Sequence, residues 1–232
     1  MDAGPLDNLV FESLIGPQRR LGEISANERA ARFRPDVSPF CGVADEDAAS
    51  WSGLAELLGD DGVAVLMGPR LSKIPDGWAC LLEEIATQWV AEDLPAAPPV
   101  EATTLGPSDA MEMVELATLT EPGPFLASTI ETGRYVGIRR GGRLVAMAGE
   151  RMRCGEWVEV SGVCVHPSAQ REGLGAALTL NVAEAIRSRG KRAMLHVREG
   201  NENAMALYRK LGFRLRADRF VYALRPRPHR ER

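Results

Sequence analysis

A short turn between an apolar strand and a helix has the composition of a ligand site. The segment VHPSAQREGLGAALTLNVAEAI occupies residues 165–186. Main-chain N–H groups at a helix start lack a partner within the helix, and the helix dipole adds positive potential there. Gly173 and Gly175 let a phosphate approach this backbone, and Arg171 adds a charge. The turn predicts an anion site, but it is not the G-x-G-x-x-G dinucleotide fingerprint, because Leu178 occupies the third glycine position.

A second group of spaced residues follows after one further helix and strand. Residues 201–213 read N-x-x-A-x-x-L-Y-x-x-x-G-F. Asn201, Ala204 and Tyr208 stand at helical spacing, so they share one face of a helix. Gly212 ends this helix. The pattern therefore places a small residue and two polar ones along a single surface downstream of the glycine turn.

The Q-x-x-G-x-G turn at residues 170–175 and the pattern at 201–213 together resemble the GNAT superfamily of acetyl-CoA-dependent N-acetyltransferases. The resemblance covers residues 100–224, and its strands are most similar to the branch of glycine N-acyltransferase-like proteins. It implies transfer of an acetyl group from acetyl-CoA to a primary amine of a small molecule, amino acid or peptide, by direct attack in a ternary complex. The alternatives are a catalytically silent CoA-binding regulatory module and a nucleotide-phosphate binder.

The resemblance also implies which residues bind the cosubstrate. They are Val163, Cys164, Val165, Gln170, Arg171, Glu172, Gly173, Leu174, Gly175, Ala176, Asn201 and Ala204. Amides of the turn would hold the pyrophosphate, and the strand before it would hydrogen-bond the pantetheine arm where two strands splay apart. Glu172 departs from the family pattern, because it places a carboxylate where many relatives have Arg, Lys or a neutral residue near the phosphates. Pointing inward, this carboxylate would weaken cofactor affinity, whereas pointing to solvent it would cost little.

Three further residues are candidates for chemistry. Tyr208 takes the position of the family's general acid, which would protonate the leaving thiolate, and a packed helix tyrosine is the structural alternative. Glu159 is the candidate base, since its parity along the strand is that of Val163 and Val165, and a salt-bridged or solvent-facing glutamate is the alternative. Glu121, in the loop EPGPF, is a candidate for recognising the substrate amine.

Periodicity and turn signals predict the elements that position these residues. After the proline-rich segment 93–109, the order is α, β, β, β, α, β, α, β, β. This order predicts an α/β (α+β) fold with a mixed, mostly antiparallel sheet flanked by helices. Ser108 is the predicted cap of the first helix, Gly141-Gly142 the predicted turn of a hairpin, and residues 213–224 a closing hairpin.

Charge divides the chain at the same place. Residues 1–100 carry 7 basic and 17 acidic groups, a charge of −10, whereas the remainder carries 21 and 15, a charge of +6. We predict an acidic α/β region over residues 1–95, an acetyltransferase domain over 100–224 and a basic disordered tail over 225–232. The acidic region is either a degenerate acetyltransferase-like half or a cap that recognises substrate.

Two elements are predicted within the acidic region. Residues 62–68, GVAVLMG, indicate a short buried strand, and residues 77–90 indicate an amphipathic helix with Trp78, Ile85 and Trp89 on one stripe. The region contains no Q-x-x-G-x-G turn, so a copy of the acetyltransferase fold here is expected to be silent.

Composition limits the remaining choices. The chain is 45% hydrophobic and 26% charged, as in globular proteins, and no run approaches the roughly 20 apolar residues that span a bilayer. Four scattered cysteines form no CxxC pair and the start resembles no signal peptide, so we expect a cytoplasmic protein with reduced thiols. His166 and His196 have no third ligand nearby in sequence, so no metal is expected. No membrane or nucleic-acid partner is expected, and a homodimer is compatible with the sequence.

Overall fold

The described strands join one 11-stranded sheet. The structure, a computed structural model, describes residues 4–59 and 61–227. The strands are β1 (Gly22–Ile24), β2 (Ala30–Phe33), β3 (Phe40–Val43), β4 (Ala64–Gly68), β5 (Trp78–Ala91), β6 (Thr103–Leu105), β7 (Tyr135–Arg140), β8 (Arg143–Cys154), β9 (Trp157–Val165), β10 (Arg192–Arg198) and β11 (Phe213–Pro226). The helices are α1 (Leu9–Ile15), α2 (Ala48–Leu58), α3 (Ala110–Thr120), α4 (Leu174–Arg187) and α5 (Glu202–Lys210).

The sheet is mixed and mostly antiparallel. Its strand order is β1-β2-β3-β4-β11-β5-β10-β9-β8-β7-β6. The pairs β3–β4 and β9–β10 are parallel, and the other neighbours are antiparallel. The predicted fold class is therefore confirmed.

The two halves of the chain repeat one connectivity around the central pair of strands. On one side of the β11–β5 pair the order is β4, β3, β2, β1, and on the other it is β10, β9, β8, β7, followed by the short β6 at the edge of the sheet. A helix connects the parallel strands in each half, α2 between β3 and β4 and α4 between β9 and β10. The two halves also exchange a strand. Strand β5 of the first half pairs with β10 of the second half, and strand β11 of the second half pairs with β4 of the first half. The strands β5 and β11 pair with each other.

The segment 77–90 was the main error in the predicted elements. It forms strand β5, so the helix prediction is wrong. The strand is buried on both faces where β10 covers it, with Trp89 in one core cluster and Val90 in another. A strand that is apolar on both faces has no clean alternation and is not distinguished from a helix by periodicity alone.

Three smaller predictions also need correction. Residues 213–224 form the single strand β11 and not a hairpin, since no Gly or Pro interrupts them. The N-cap of α3 is Asp109 and not Ser108, because residues Pro107–Asp109 form a short 3₁₀ turn first. Strand β11 continues through Arg225 and Pro226, so the predicted basic tail starts too early; its residues 228–232 lie outside the described residues.

Different helices cover the two faces of the second half. Helices α4 and α5 pack on one face, where Leu178, Ile186 and Leu211 join a common core cluster. The other face is covered by α3, through Met113 and its neighbours, and by α1 of the first half. The candidate site residues therefore lie in a sheet that is enclosed partly by the acidic half.

A chain shortened to residues 100–227 is expected not to unfold cooperatively. It lacks β5, so β10 and β11 lose the strand between them, and Trp89, which is 2% exposed, is removed from the core. Thermal unfolding followed by circular dichroism measures this. Adding a peptide of residues 76–92 should restore a cooperative transition, whereas a cooperative transition without the peptide would contradict this dependence on the exchanged strand.

Candidate active site

The parallel strands β9 and β10 separate partway along their length. They are paired only from Arg192 with Trp157 to Met194 with Glu159. Beyond Met194, β10 continues beside β5, and β9 continues to Val165 beside β8. The main chain of β9 from Val160 to Val165 therefore has no strand on its β10 side within the described part of the chain. This gap lies where the family resemblance places the pantetheine arm.

A bulge at Gly162 turns the end of β9. Met147 pairs with Cys164 and Gly149 pairs with Ser161, so β9 has one residue more than β8 in this interval. Gly162 has φ +61°, a left-handed conformation that glycine adopts without strain. The extra residue shifts the alternation of the strand by one position. Two residues an even number of positions apart, one before and one after Gly162, therefore direct their side chains to opposite faces of the sheet. The glycine inside a strand pattern was the sequence signal for this bulge.

The turn between β9 and α4 presents unpaired donors. Main-chain N–H groups from Arg171 to Ala176 donate no hydrogen bond to any described residue, and the first bond of α4 runs from Ala177 N to Gly173 O at 3.0 Å. Gln170 holds the turn against β9 through a 3.4 Å hydrogen bond from Nε2 to Val165 O. Consecutive free amides at a helix start form a concave site for an anion.

The two glycines of this turn contribute in different ways. Gly173 caps α4 with φ +79°, and Arg171 also has a left-handed φ of +65°, so the chain is turned sharply before the helix. Gly175 has an ordinary helical position, but a Cβ there would lie 3.5 Å from Val165 and 3.8 Å from Val163. Its missing side chain leaves space between the start of α4 and the strand segment that faces the gap.

The carboxylate of Glu172 is directed to a partner on the β7–β8 hairpin. Arg140 Nη1 donates to Glu172 Oε1 at 2.9 Å, and Nη2 donates to the other oxygen. Both side chains are close to half exposed. The hydrogen bond from Arg140 lowers the pKa of Glu172, which stays ionised at neutral pH. The charge that departs from the family pattern is thus paired beside the turn.

Tyr208 lies in the core cluster that backs this gap. It is 9% exposed, packs edge-to-face on Phe213 with ring centroids 5.9 Å apart, and its hydroxyl has no hydrogen-bond partner among the described residues. Burial raises the pKa of Tyr208 to about 12, with a smaller contribution from the thiol of Cys164. The phenol is therefore protonated at neutral pH, and its ring belongs to the core cluster that also includes Val163 and Val165 of β9.

The remaining predicted residues lie on three different elements. Asn201 caps α5, its Oδ1 accepting from Ala204 N at 3.1 Å, and its amide nitrogen has no hydrogen-bond partner among the described residues. Burial raises the pKa of Cys164 to about 11, so this thiol is protonated at neutral pH and unsuited to carry an acyl group. Glu121 is exposed at the end of α3 with φ +47°, and its role in amine recognition stays a prediction.

Glu159 belongs to a buried network at the base of the gap. Its side chain is 1% exposed and accepts from Arg151 at 2.9 Å and 2.7 Å. His196 Nδ1 lies 2.8 Å from Glu159, and His196 Nε2 lies 3.0 Å from Gln88 Nε2. Gln88 Oε1 accepts from Arg216 at 2.7 Å, which fixes Nε2 as the donating end of that amide. His196 therefore accepts at Nε2 and donates from Nδ1 to Glu159.

This network does not support Glu159 as the catalytic base. Burial alone would raise the pKa of Glu159, but the charge and hydrogen bonds of Arg151, with a hydrogen bond from His196, outweigh it and lower that pKa. The predicted parity of Glu159 is also wrong, because the bulge at Gly162 places Glu159 on the face opposite Val163 and Val165. Arg151 and Gln88 carried no sequence signal, because Arg151 reaches Glu159, and Gln88 reaches His196, only through tertiary contacts.

The described residues contain neither a metal-binding cluster nor a membrane-spanning helix. In residues 4–59 and 61–227, no group of at least 3 His, Cys, Asp or Glu side chains is arranged to hold a metal ion. No helix in the same ranges combines the length and apolar character needed to cross a membrane.

Known proteins share this fold and this site region. A family model described as FR47-like protein matches residues 135–221. A crystal structure of a GNAT-family protein from Novosphingobium aromaticivorans is 36% identical, covers 97% of this chain and 99% of its own, and superposes with a TM-score of 0.87. N-alpha-acetyltransferase RimI of Mycobacterium tuberculosis is 35% identical over 127 residues, which are 50% of this chain and 78% of that protein.

Mycothiol acetyltransferase of Thermomonospora curvata is 42% identical over 91 residues, 39% of this chain. The match spans only 30% of that relative's length. The class that fold and relatives define is the acyltransferases. This chain belongs to the GNAT superfamily of acetyltransferases, as the two sequence motifs predicted. Its placement in the glycine N-acyltransferase-like branch stays a prediction.

Glu159→Gln is expected to lower the free energy of unfolding by about 3–5 kcal/mol at pH 7, because it leaves the buried Arg151 without its counter-charge. The folded-state pKa of Glu159 lies below its unfolded value of about 4.3, so its stabilisation is complete above that pH and is lost as pH falls. Urea unfolding at pH 7 and pH 4 measures this: between these pH values the free energy of unfolding should fall less in Glu159→Gln than in the wild type. Glu184→Gln, in an exposed pair with Arg187, is the control, and equal effects of both substitutions would refute the role of burial.

Glu172→Gln is expected to tighten acetyl-CoA binding about three- to ten-fold at low salt, because it removes a negative charge beside the turn and releases Arg140. Isothermal titration measures the Kd, and the gain should shrink at about 1 M salt because exposed charges are then screened. Glu184→Gln, at the other end of α4, should leave the Kd unchanged. An unchanged or weaker affinity in Glu172→Gln would show that this carboxylate is remote from the bound phosphates.

Proposed function

We propose that this protein is an N-acetyltransferase that moves the acetyl group of acetyl-CoA to a primary amine by direct attack in a ternary complex. The observation that carries the proposal is that three features meet at one core cluster: the gap between β9 and β10, through Val163 and Val165; the turn whose amides have no described partner, through Leu174 and Ala176; and the protonated phenol of Tyr208. Each supplies a separate need of the reaction. Membership of the acetyltransferase superfamily supports the same reaction.

Residues are assigned to acetyl-CoA by their main-chain and side-chain groups that have no hydrogen-bond partner among the described residues. The amides of the turn, with Arg171 beside them, offer donors to a pyrophosphate. The unpaired side of β9 at Val163, Cys164 and Val165 offers main-chain groups to the amides of the pantetheine arm. Asn201 offers its free amide nitrogen from the start of α5, and Ala204 leaves room on the same helical face.

Tyr208 is assigned as the general acid. In the transfer, the amine nitrogen bonds to the acetyl carbon, the carbon–sulfur bond breaks, and the phenol donates its proton to the departing sulfur. The hydroxyl has no described partner to compete for this proton, and its raised pKa keeps it protonated when amines lose their proton. Solvent then takes the proton that the acetylated nitrogen releases and reprotonates the phenolate.

Deprotonation of the amine is assigned to solvent, since the carboxylate of Glu159 is engaged by Arg151 and His196. Glu159 and its partners instead hold the base of the gap, where β9 and β10 separate. The rate is then governed by the fraction of unprotonated amine. The acidic first half, with Glu121 in the loop after α3, favours an acceptor that carries positive charge.

Tyr208→Phe is expected to lower kcat by about 10²–10⁴ and to leave the Kd for acetyl-CoA unchanged, because phenylalanine keeps the packing on Phe213 and removes only the proton. CoA release with a panel of amines measures kcat, and isothermal titration measures the Kd. Leu207→Met, on the same helix, is the control for packing. Equal rates for Tyr208→Phe and wild type would remove the acid role.

The same measurements test the proposed function as a whole. Binding of acetyl-CoA without turnover on any amine would favour the silent CoA-binding module. Binding of ATP but not of acetyl-CoA would refute the assignment of the turn to CoA.

A further inference from the structure

We propose that the acceptor is an extended, positively charged peptide that adds as a further strand to the free edge of β5. The inference rests on the proposed function and names the class of acceptor for it. The edge is the part of β5 before Ala86 that β10 does not cover.

The main chain of β5 is unpaired along this edge. Strand β10 pairs with β5 only from Ala86 to Val90, whereas β11 pairs with it along its whole length. The last bond on the β10 side runs from Glu199 N to Ile85 O at 3.0 Å, so Ile85 directs its main-chain groups to that side. Because alternate residues of a strand face the same neighbour, Glu83 directs its N–H and C=O to the same open side.

The free edge borders the gap that is assigned to the cosubstrate. In the sheet, β10 lies between β5 and β9. Beyond the end of β10 at Arg198, the open edge of β5 and the open edge of β9 therefore face each other across one space. A chain that pairs with β5 here enters the space on the side opposite the segment from Val160 to Val165. Its terminal amine then has a direct route to the acetyl group.

Apolar side chains are exposed on the same stretch. Leu81 is 52% exposed and Leu82 is 44% exposed, and Cys80 beside them is also exposed. Native proteins usually shorten, cover or charge an open strand edge, because it is a template for pairing with another chain. A peptide that adds a strand would pair the main chain and cover these side chains, as in other domains that bind by β-augmentation.

Charge favours a cationic peptide as the occupant. Four carboxylates belong to the segments that form this edge and its end: Glu83 and Glu84 on β5, Glu199 next to the end of β10, and Glu202 in the first turn of α5. Two cations pair with the carboxylates of β5, Arg70 at 3.9 Å from Glu83 and Arg198 at 3.7 Å from Glu84, and both are largely exposed. The edge therefore keeps a negative balance that attracts a basic chain.

The same charges disfavour a second copy of this protein as the occupant. Antiparallel pairing of two β5 edges would bring Glu83 and Glu84 of one copy opposite the same residues of the other. Like charges directly opposite each other on paired strands are destabilising.

Glu83→Pro tests the proposal with little cost to the fold. Proline removes an N–H that points to the open edge, and prolines are tolerated on strand edges. Glu83→Ala is the matched control, because it removes the carboxylate and keeps the N–H. The acceptors are a hexapeptide with a free N-terminus, two arginines and no lysine, and the small amine glycinamide.

We expect a kcat/KM for the hexapeptide about ten-fold or more above that for glycinamide. Glu83→Pro should raise the KM for the peptide about ten-fold, and Glu83→Ala about two-fold. In both variants the KM for glycinamide and the Kd for acetyl-CoA should match wild type. Equal use of the two acceptors, or an unchanged peptide KM in Glu83→Pro, would overturn the proposal.

Two further measurements separate the remaining outcomes. If Glu83→Pro does not fold, Glu83→Arg replaces it and should raise the KM for the arginine peptide about ten-fold at low salt and little at about 1 M salt. Sedimentation that changes from dimer to monomer in Glu83→Pro, without a change in peptide KM, would show that the edge joins two copies.

Failure of the proposed function has a different signature. If neither acceptor is acetylated, titration of the N-terminally acetylated hexapeptide into wild type and Glu83→Pro still measures docking. Tighter binding to wild type would then support the peptide edge on a protein without turnover, and equal binding would overturn it.

Discussion

The pairing of β5 with β11 is the constraint on which the rest of the structure depends. Each strand has 14 residues, and the ladder between them joins the acidic half of the chain to the half that carries the glycine turn. Because β5 also pairs with β10, the position of β10 depends on a segment more than 100 residues earlier in the chain. The gap between β9 and β10 is therefore bounded on one side by a strand that is itself fixed by the first half. The acidic half is in this sense part of the scaffold of the site.

The two halves use the start of their equivalent helices in opposite ways. Helix α2 follows the acidic run at residues 45–47, and Asp47 accepts from Ser50 N at 2.8 Å, so a carboxylate of the protein fills the anion position. Helix α4 follows a glycine turn whose amides have no described partner. The same connectivity thus gives one helix start that is satisfied internally and one that is open to an external anion. This contrast accounts for the absence of a glycine turn in the first half.

Two buried polar groups of the second half differ in their partners. Tyr208 is buried with a hydroxyl that has no hydrogen-bond partner among the described residues, whereas Glu159 is buried with its oxygens engaged by Arg151 and His196. A charged group that folding takes out of water needs such partners. Substitution of one member of a buried ion pair is costly to the fold, because the other charge stays buried without a partner. The network continues through Gln88 of β5 to Arg216 of β11, so the base of the gap and the central strand pair are held by one set of hydrogen bonds.

The sequence by itself determined the features that depend on neighbouring residues. The glycine turn, the helix after it and the helical face of Asn201, Ala204 and Tyr208 follow from local spacing, since left-handed turns and helix starts are set within a few residues. Tertiary structure alone decided that residues 77–90 are a strand and that the carboxylate of Glu159 belongs to a buried ion pair at the base of the gap. The first depends on burial between β10 and β11, and the second on one extra residue at Gly162 and on Arg151. Both are contacts between segments that are distant or out of register in the sequence, so no local pattern contains them.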